Sequence, residues 1–127
     1  MDFITENIAI GDEIEAADEN LLINLGITHV LIVRPINVDY KKLHYAKIPW
    51  YDEDNITRLD EALNFIDQAL KDDGKIAVVC GAGIERSPLT VFAYLHKHGL
   101  SVEEALQLIR SKRPQCDIHL DWLGKWL

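Results

Sequence analysis

Cysteine is scarce in this 127-residue chain, and so are unbroken hydrophobic runs and positive charge. Only Cys80 and Cys116 are present, too few for a disulfide framework, so a reducing compartment such as the cytoplasm is expected. No apolar run approaches the length of a membrane span, and no signal peptide is read ahead of the first strand. Lysine and arginine number 13 against 21 aspartates and glutamates, a formal net charge of −8. That deficit argues against nucleic acid, anionic membranes and strongly polyanionic substrates as partners. Linkers, repeats and low-complexity segments are also missing, so residues 1–127 are read as one domain, long enough for a single full core.

What is present alternates strand and helix patterns. Ile8-Ala-Ile10, ending at Gly11, reads as a short strand. Glu13 to Leu25 reads as a helix with Ala17, Leu21, Leu22 and Leu25 on one face and Gly26 as its C′ residue. His29 to Val33 is a buried strand, and Leu43 to Ile48 is a weakly alternating one closed by Pro49. Thr57-x-x-Asp60 approximates a capping box ahead of a stripe of Leu59, Ala62, Leu63, Ile66 and Leu70, with Gly74 as the stop. Ser101-x-x-Glu104 is a full capping-box signal, followed by Val102, Ala105, Leu106 and Ile109 as an apolar stripe. Asp117 to Trp126 reads as a last short helix. The order predicts an α/β fold: a single compact domain whose central, mainly parallel sheet of four or five strands is flanked by helices.

Lys75 to Gly99 stands out from this frame. Ile76 to Val79 is consecutively apolar and mostly β-branched, the mark of a strand buried on both faces. Pro88 is read at the first position of the next helix with Ser87 as N-cap, and Gly99 closes that helix. Between strand and helix runs the loop Gly81-Ala82-Gly83-Ile84-Glu85-Arg86, with Cys80 before it. A loop entering a helix N-terminus turns backbone N–H groups inward and forms an anion cradle. This one has a thiol at its floor and a guanidinium on its wall. Such residue types suit a phosphate monoester: N–H groups hold the oxygens, Arg86 adds a bidentate pair, and Cys80 attacks in line as a thiolate.

The pattern Cys80-x-x-Gly83-x-x-Arg86-Ser87 resembles the signature of the cysteine-dependent protein tyrosine phosphatase superfamily, and the chain as a whole is similar to its small dual-specificity branch. Asn7-Ile-Ala-Ile-Gly11, Leu25 to Ile32 and Ile48-Pro-Trp-Tyr-Asp52 match the family's opening strand, second strand and general-acid segment in the same order. The resemblance implies a phosphatase-like fold and hydrolysis of phosphotyrosine, with phosphoserine and phosphothreonine as further substrates, through a phosphocysteine. It implies Cys80 as nucleophile, Arg86 and the loop N–H groups of residues 81–86 as phosphate binders, and Ser87 as the hydroxyl that stabilises the departing thiolate. Asp52, 28 residues before Cys80, is the implied general acid. Asp54 is the alternative carboxylate, and a plain polar loop over Tyr51–Asn55 is the other reading. Phosphorylated proteins are the implied substrates, phosphate, sulfate or vanadate the implied loop ligands, and no metal or cofactor is called for. The family's usual His before the cysteine is Val79 here. A phosphopeptide-binding protein without turnover is the alternative function, and a sulfur transferase, whose loop is one residue shorter, is a third.

The remaining chemistry-bearing residues carry structural expectations. Glu85, an anion in an anion-binding loop, is expected to point outward and pair with a lysine or arginine. His96 and His98 lie on different helix faces, and His29, His44 and His119 have no metal-ligand spacing. Cys116 is read as a bystander, with resolving thiol as the alternative. Trp122 and Trp126 are read as core, and Arg34 as a solvated arginine at the sheet edge, with assistance in phosphate binding as the alternative.

Overall fold

In the computed structural model, which describes residues 1–50 and 57–127, Asp2–Phe3 (β1) pairs antiparallel with Ile8–Gly11 (β2). Two residues carry no period, so β1 has no sequence signal. The single helix expected over 13–25 is corrected to two, Glu13–Ala16 (α1) and Glu19–Asn24 (α2). Two aspartates cause the break. Asp12 forms a capping box with Glu15, and Asp18 accepts from the Leu21 N–H at 3.1 Å, starting a second helix after Ala17. Ala16 and Leu22 are buried, whereas Ala17, Leu21 and Leu25 are exposed.

His29–Ile32 (β3) and His44–Lys47 (β4) follow, each shorter than its sequence span. Thr57–Lys71 (α3) already contains Thr57, so that residue is not its N-cap; Ala69 joins the expected buried stripe while Leu70 is half-buried. Asp73, at φ 60°, takes the left-handed turn expected of Gly74. Gly74 is needed for space instead: a Cβ there would lie 2.5 Å from Thr28 Oγ1 and 2.9 Å from the Ala69 carbonyl oxygen. Ile76–Val79 (β5) precedes Arg86–Lys97 (α4), and Val102–Lys112 (α5) carries the capping box read at Ser101 and Glu104. The expected helix over 117–126 is a 3-10 segment, Leu120–Trp126, interrupted at Gly124.

The sheet order is β1-β2-β5-β3-β4, with every pairing except β1–β2 parallel. β5 is central, Val79 standing beside Gly11 of β2 and Ile32 of β3. Alternate residues feed two cores. Ile76, Val78 and Cys80 join the side covered by α3, α4 and α5, while Ala77 and Val79 join the side covered by Leu22, Ile27, Val38 and Tyr40. Cys80 thus emerges at the carboxyl end of the central strand, where ligands of open α/β sheets bind. Among the described residues no helix is long and apolar enough to cross a membrane.

Candidate active site

The loop after β5 is held open from outside by its own carbonyls. Gly81 O accepts from the Glu13 N–H at 2.9 Å, and Ile84 O from the Asp117 N–H at 2.8 Å. Arg113 takes the two between, donating Nε to Gly83 O at 2.8 Å and Nη2 to Ala82 O at 3.4 Å. Among the described residues there are no cis peptide bonds, and in a planar trans peptide the N–H points opposite to the carbonyl. Four carbonyls tied outward therefore turn the N–H groups of Ala82, Gly83, Ile84 and Glu85 the other way, into the loop. Arg113 is 4% exposed, and Asp2 of β1 balances it at 2.8 Å. Gly83 sits at φ 69°, where a Cβ would lie 2.6 Å from Arg113 Nη2 and 2.7 Å from the Gly11 carbonyl oxygen. Only glycine fits there.

Cys80 is buried at 4% exposure, and its sulfur has Ser87 as a double neighbour: the N–H at 3.4 Å and Oγ at 3.1 Å. This corrects the expected N-cap. α4 starts at Arg86 after Glu85, and Ser87 and Pro88 lie inside its first turn. The Ser87 hydroxyl is turned to the sulfur, so it does not cap the helix.

Arg86 is set by a closed circuit. Its Nε donates to Trp50 O at 3.0 Å; Trp50 Nε1 donates to Thr90 Oγ1 at 3.0 Å; Thr90 Oγ1 donates to Arg86 O at 2.8 Å. The Arg86 Cζ also lies 4.6 Å from the Trp122 ring centroid. Arg34, Cys80, Gly81, Ala82, Ile84, Glu85 and Arg86 line a cleft of about 170 Å³. That is on the order of five or six water volumes, room for a phosphoryl group and the first atoms of its carrier. Arg34 is exposed, as a solvated arginine would be, and it also lines this cleft.

Glu85 does point outward, but its partner is His119 at 2.9 Å rather than a lysine or arginine. His119 also meets Asp117 at 3.2 Å and stacks on Trp122 at 4.1 Å. Glu85, Asp117 and His119 bring ligand-type atoms within 4.8 Å of one another, and the imidazole bridging the two carboxylates accounts for the cluster. Cys116 is half-buried, and burial pushes its thiol up to about 11. His98 pairs with Asp67, and His96 Nδ1 meets Leu100 O, both outside the site. Asp52 and Asp54 lie outside the described residues. Arg113 and Asp2 escaped the sequence reading, since nothing local distinguishes Arg113 from Arg110 or Lys112.

Residues 8–124 match the family model described as "Dual specificity phosphatase, catalytic domain". Dual specificity protein phosphatase 1 of Arabidopsis thaliana is 33% identical over 117 residues, covering 87% of this chain and 59% of the relative. Dual specificity protein phosphatase 9 of Homo sapiens is 32% identical over 132 residues, covering 98% of this chain and 34% of the relative. The crystal structure of human DUSP28 superposes with a TM-score of 0.88 at 24% identity, covering 99% of this chain and 94% of that one, a likeness of fold. The chain thus spans about a third to three fifths of the length of these two curated relatives.

Proposed function

Because this chain belongs to the dual-specificity phosphatase family, we propose that it hydrolyses phosphate monoesters on proteins, phosphotyrosine with phosphoserine and phosphothreonine as further substrates, through a phosphocysteine. The observation that carries the reading is the loop whose four carbonyls are tied outward around a sulfur flanked by the Ser87 N–H and hydroxyl. In the first step the Cys80 thiolate attacks phosphorus while the inward N–H groups and Arg86 hold the equatorial oxygens. The S–P bond forms, the P–O bond to the carrier breaks, and Asp52 gives its proton to the leaving oxygen. In the second step Asp52 takes a proton from water, whose oxygen displaces the Cys80 sulfur as phosphate leaves. The Ser87 hydroxyl and N–H receive the departing thiolate. A thiol nucleophile suits a reducing compartment such as the cytoplasm.

Release of phosphate from p-nitrophenyl phosphate tests the reading. Cys80→Ser should abolish turnover yet still bind inorganic phosphate, because the cradle is backbone and guanidinium. Activity within about tenfold of wild type in that variant would sink the mechanism, and phosphate binding without any wild-type release would leave only a phosphopeptide-binding role. Asp52→Asn should slow phenyl phosphate, with its basic leaving group, far more than p-nitrophenyl phosphate. The same selective effect in Asp54→Asn alone would move the acid to Asp54.

A further inference from the structure

A guanidinium grips a phosphoryl group at two points only when its plane is aimed at the oxygens. Two contacts with described residues bear on the Arg86 guanidinium. One is at its edge, where Nε donates to Trp50 O at 3.0 Å. The other is with the Trp122 indole, over whose ring Cζ lies 4.6 Å from the centroid. Trp is the strongest aromatic partner for such a cation.

Trp122 is itself fastened to the loop it serves. The His119 ring lies 4.1 Å from the Trp122 ring and within 11° of parallel. His119 Nε2 is 2.9 Å from Glu85 Oε2 and 3.2 Å from Asp117 Oδ2, and the Asp117 N–H donates to Ile84 O at 2.8 Å. Glu85 and Ile84 are loop residues, so the chain end that supplies the indole is tied at two successive positions beside Arg86. A tryptophan serving only as core needs no such attachment. Trp122 packs against the core cluster and stays partly exposed, with the His119 ring stacked on it and the Arg86 Cζ 4.6 Å from its centroid.

We propose that Trp122 is a positioning residue that fixes the plane of the Arg86 guanidinium, and that the Glu85–His119–Asp117 cluster is the fastener that holds it there. The inference rests on the phosphate-binding reading of the cradle. The fastener gives the anionic Glu85 a role in a loop built for anions: its charge is directed to His119.

The test measures inorganic phosphate by its protection of Cys80 against iodoacetate, which needs no turnover, alongside kcat and KM for p-nitrophenyl phosphate. Trp122→Leu should weaken phosphate binding and lower kcat/KM by roughly tenfold, with most of the loss in kcat, since the two-point contact tightens in the transition state. Trp122→Phe keeps an aromatic face and should recover to within about threefold of wild type. In an Arg86→Lys background there is no plane to hold, so Trp122→Leu should cost less than about twofold more. A folded Trp122→Leu chain that binds phosphate like wild type overturns the proposal, and so does an equal loss with and without Arg86→Lys. If Trp122→Leu does not fold, His119→Gln takes its place, and unchanged phosphate binding in that variant overturns it. A wild type that is protected by phosphate yet releases none from the ester sinks the hydrolytic reading and leaves this inference to its own arms.

Discussion

Ser87 and Cys116 show how differently a thiol and its surroundings work at the scale of single residues. The Ser87 N–H and hydroxyl both face the Cys80 sulfur, and the same hydroxyl is thereby lost to helix capping. Sequence pattern places a serine before proline at an N-cap, and it cannot see a sulfur seven residues back competing for the hydroxyl. Cys116 is surrounded differently. Burial pushes its thiol up to about 11, so near neutral pH it stays protonated and a poor nucleophile. Iodoacetate at about pH 7.5 should therefore label Cys80 and spare Cys116, since the thiolate is the reactive form. Mass spectrometry of the digested chain reads this directly, and inorganic phosphate should suppress the label. Equal labelling of both cysteines would mean that Cys116 is not held as a thiol and would revive it as a resolving partner.

At the scale of elements, legibility follows the range of the interaction. β5, α4 and α5 were plain because an apolar run, a C′ glycine and a capping box are local signals. Division of the first helix at Asp18 was missed, although its cause is local, because the apolar stripe masked the second cap. Arg113 was invisible for a different reason: its carboxylate partner, Asp2, lies 111 residues away on a strand too short to show a period. Val79, standing where the family's usual His would be, faces the opposite core. Arg113→Met should leave the Ala82 and Gly83 carbonyls without their donor, at a cost of about 1–3 kcal/mol. Asp2 is partly exposed, so its lost partner adds little. Phosphate binding should fall with it, since nothing then turns two of the N–H groups inward. Gly83→Ala should do the same through backbone strain of about 1–2 kcal/mol plus the clash with Gly11. Denaturant melts and phosphate protection of Cys80 check both, and a melt unchanged in Arg113→Met would show that the loop holds its shape without the brace.

Over the whole molecule, two arginines line a small cleft in a chain of net charge −8. On the proposed function, a phosphoryl dianion in the cleft would meet Arg34 and Arg86 at short range. Farther out, the excess of carboxylates sets the sign of the field that an approaching substrate meets. The two ranges separate by ionic strength, because the Debye length shrinks from about 30 Å at 0.01 M to about 8 Å at 0.15 M. Two phosphotyrosine peptides of equal length, one flanked by lysines and one by glutamates, should thus respond oppositely to added salt. The lysine-flanked peptide should show the higher kcat/KM at low salt and lose it as sodium chloride is raised, while the glutamate-flanked peptide should gain. The contrast should lie mostly in KM, since the bound phosphoryl group sees the same loop in both. Parallel salt curves for the two peptides would mean that the carboxylates are distributed away from the approach to the cleft, and that substrate choice is made by contact with its walls rather than by the field of the chain.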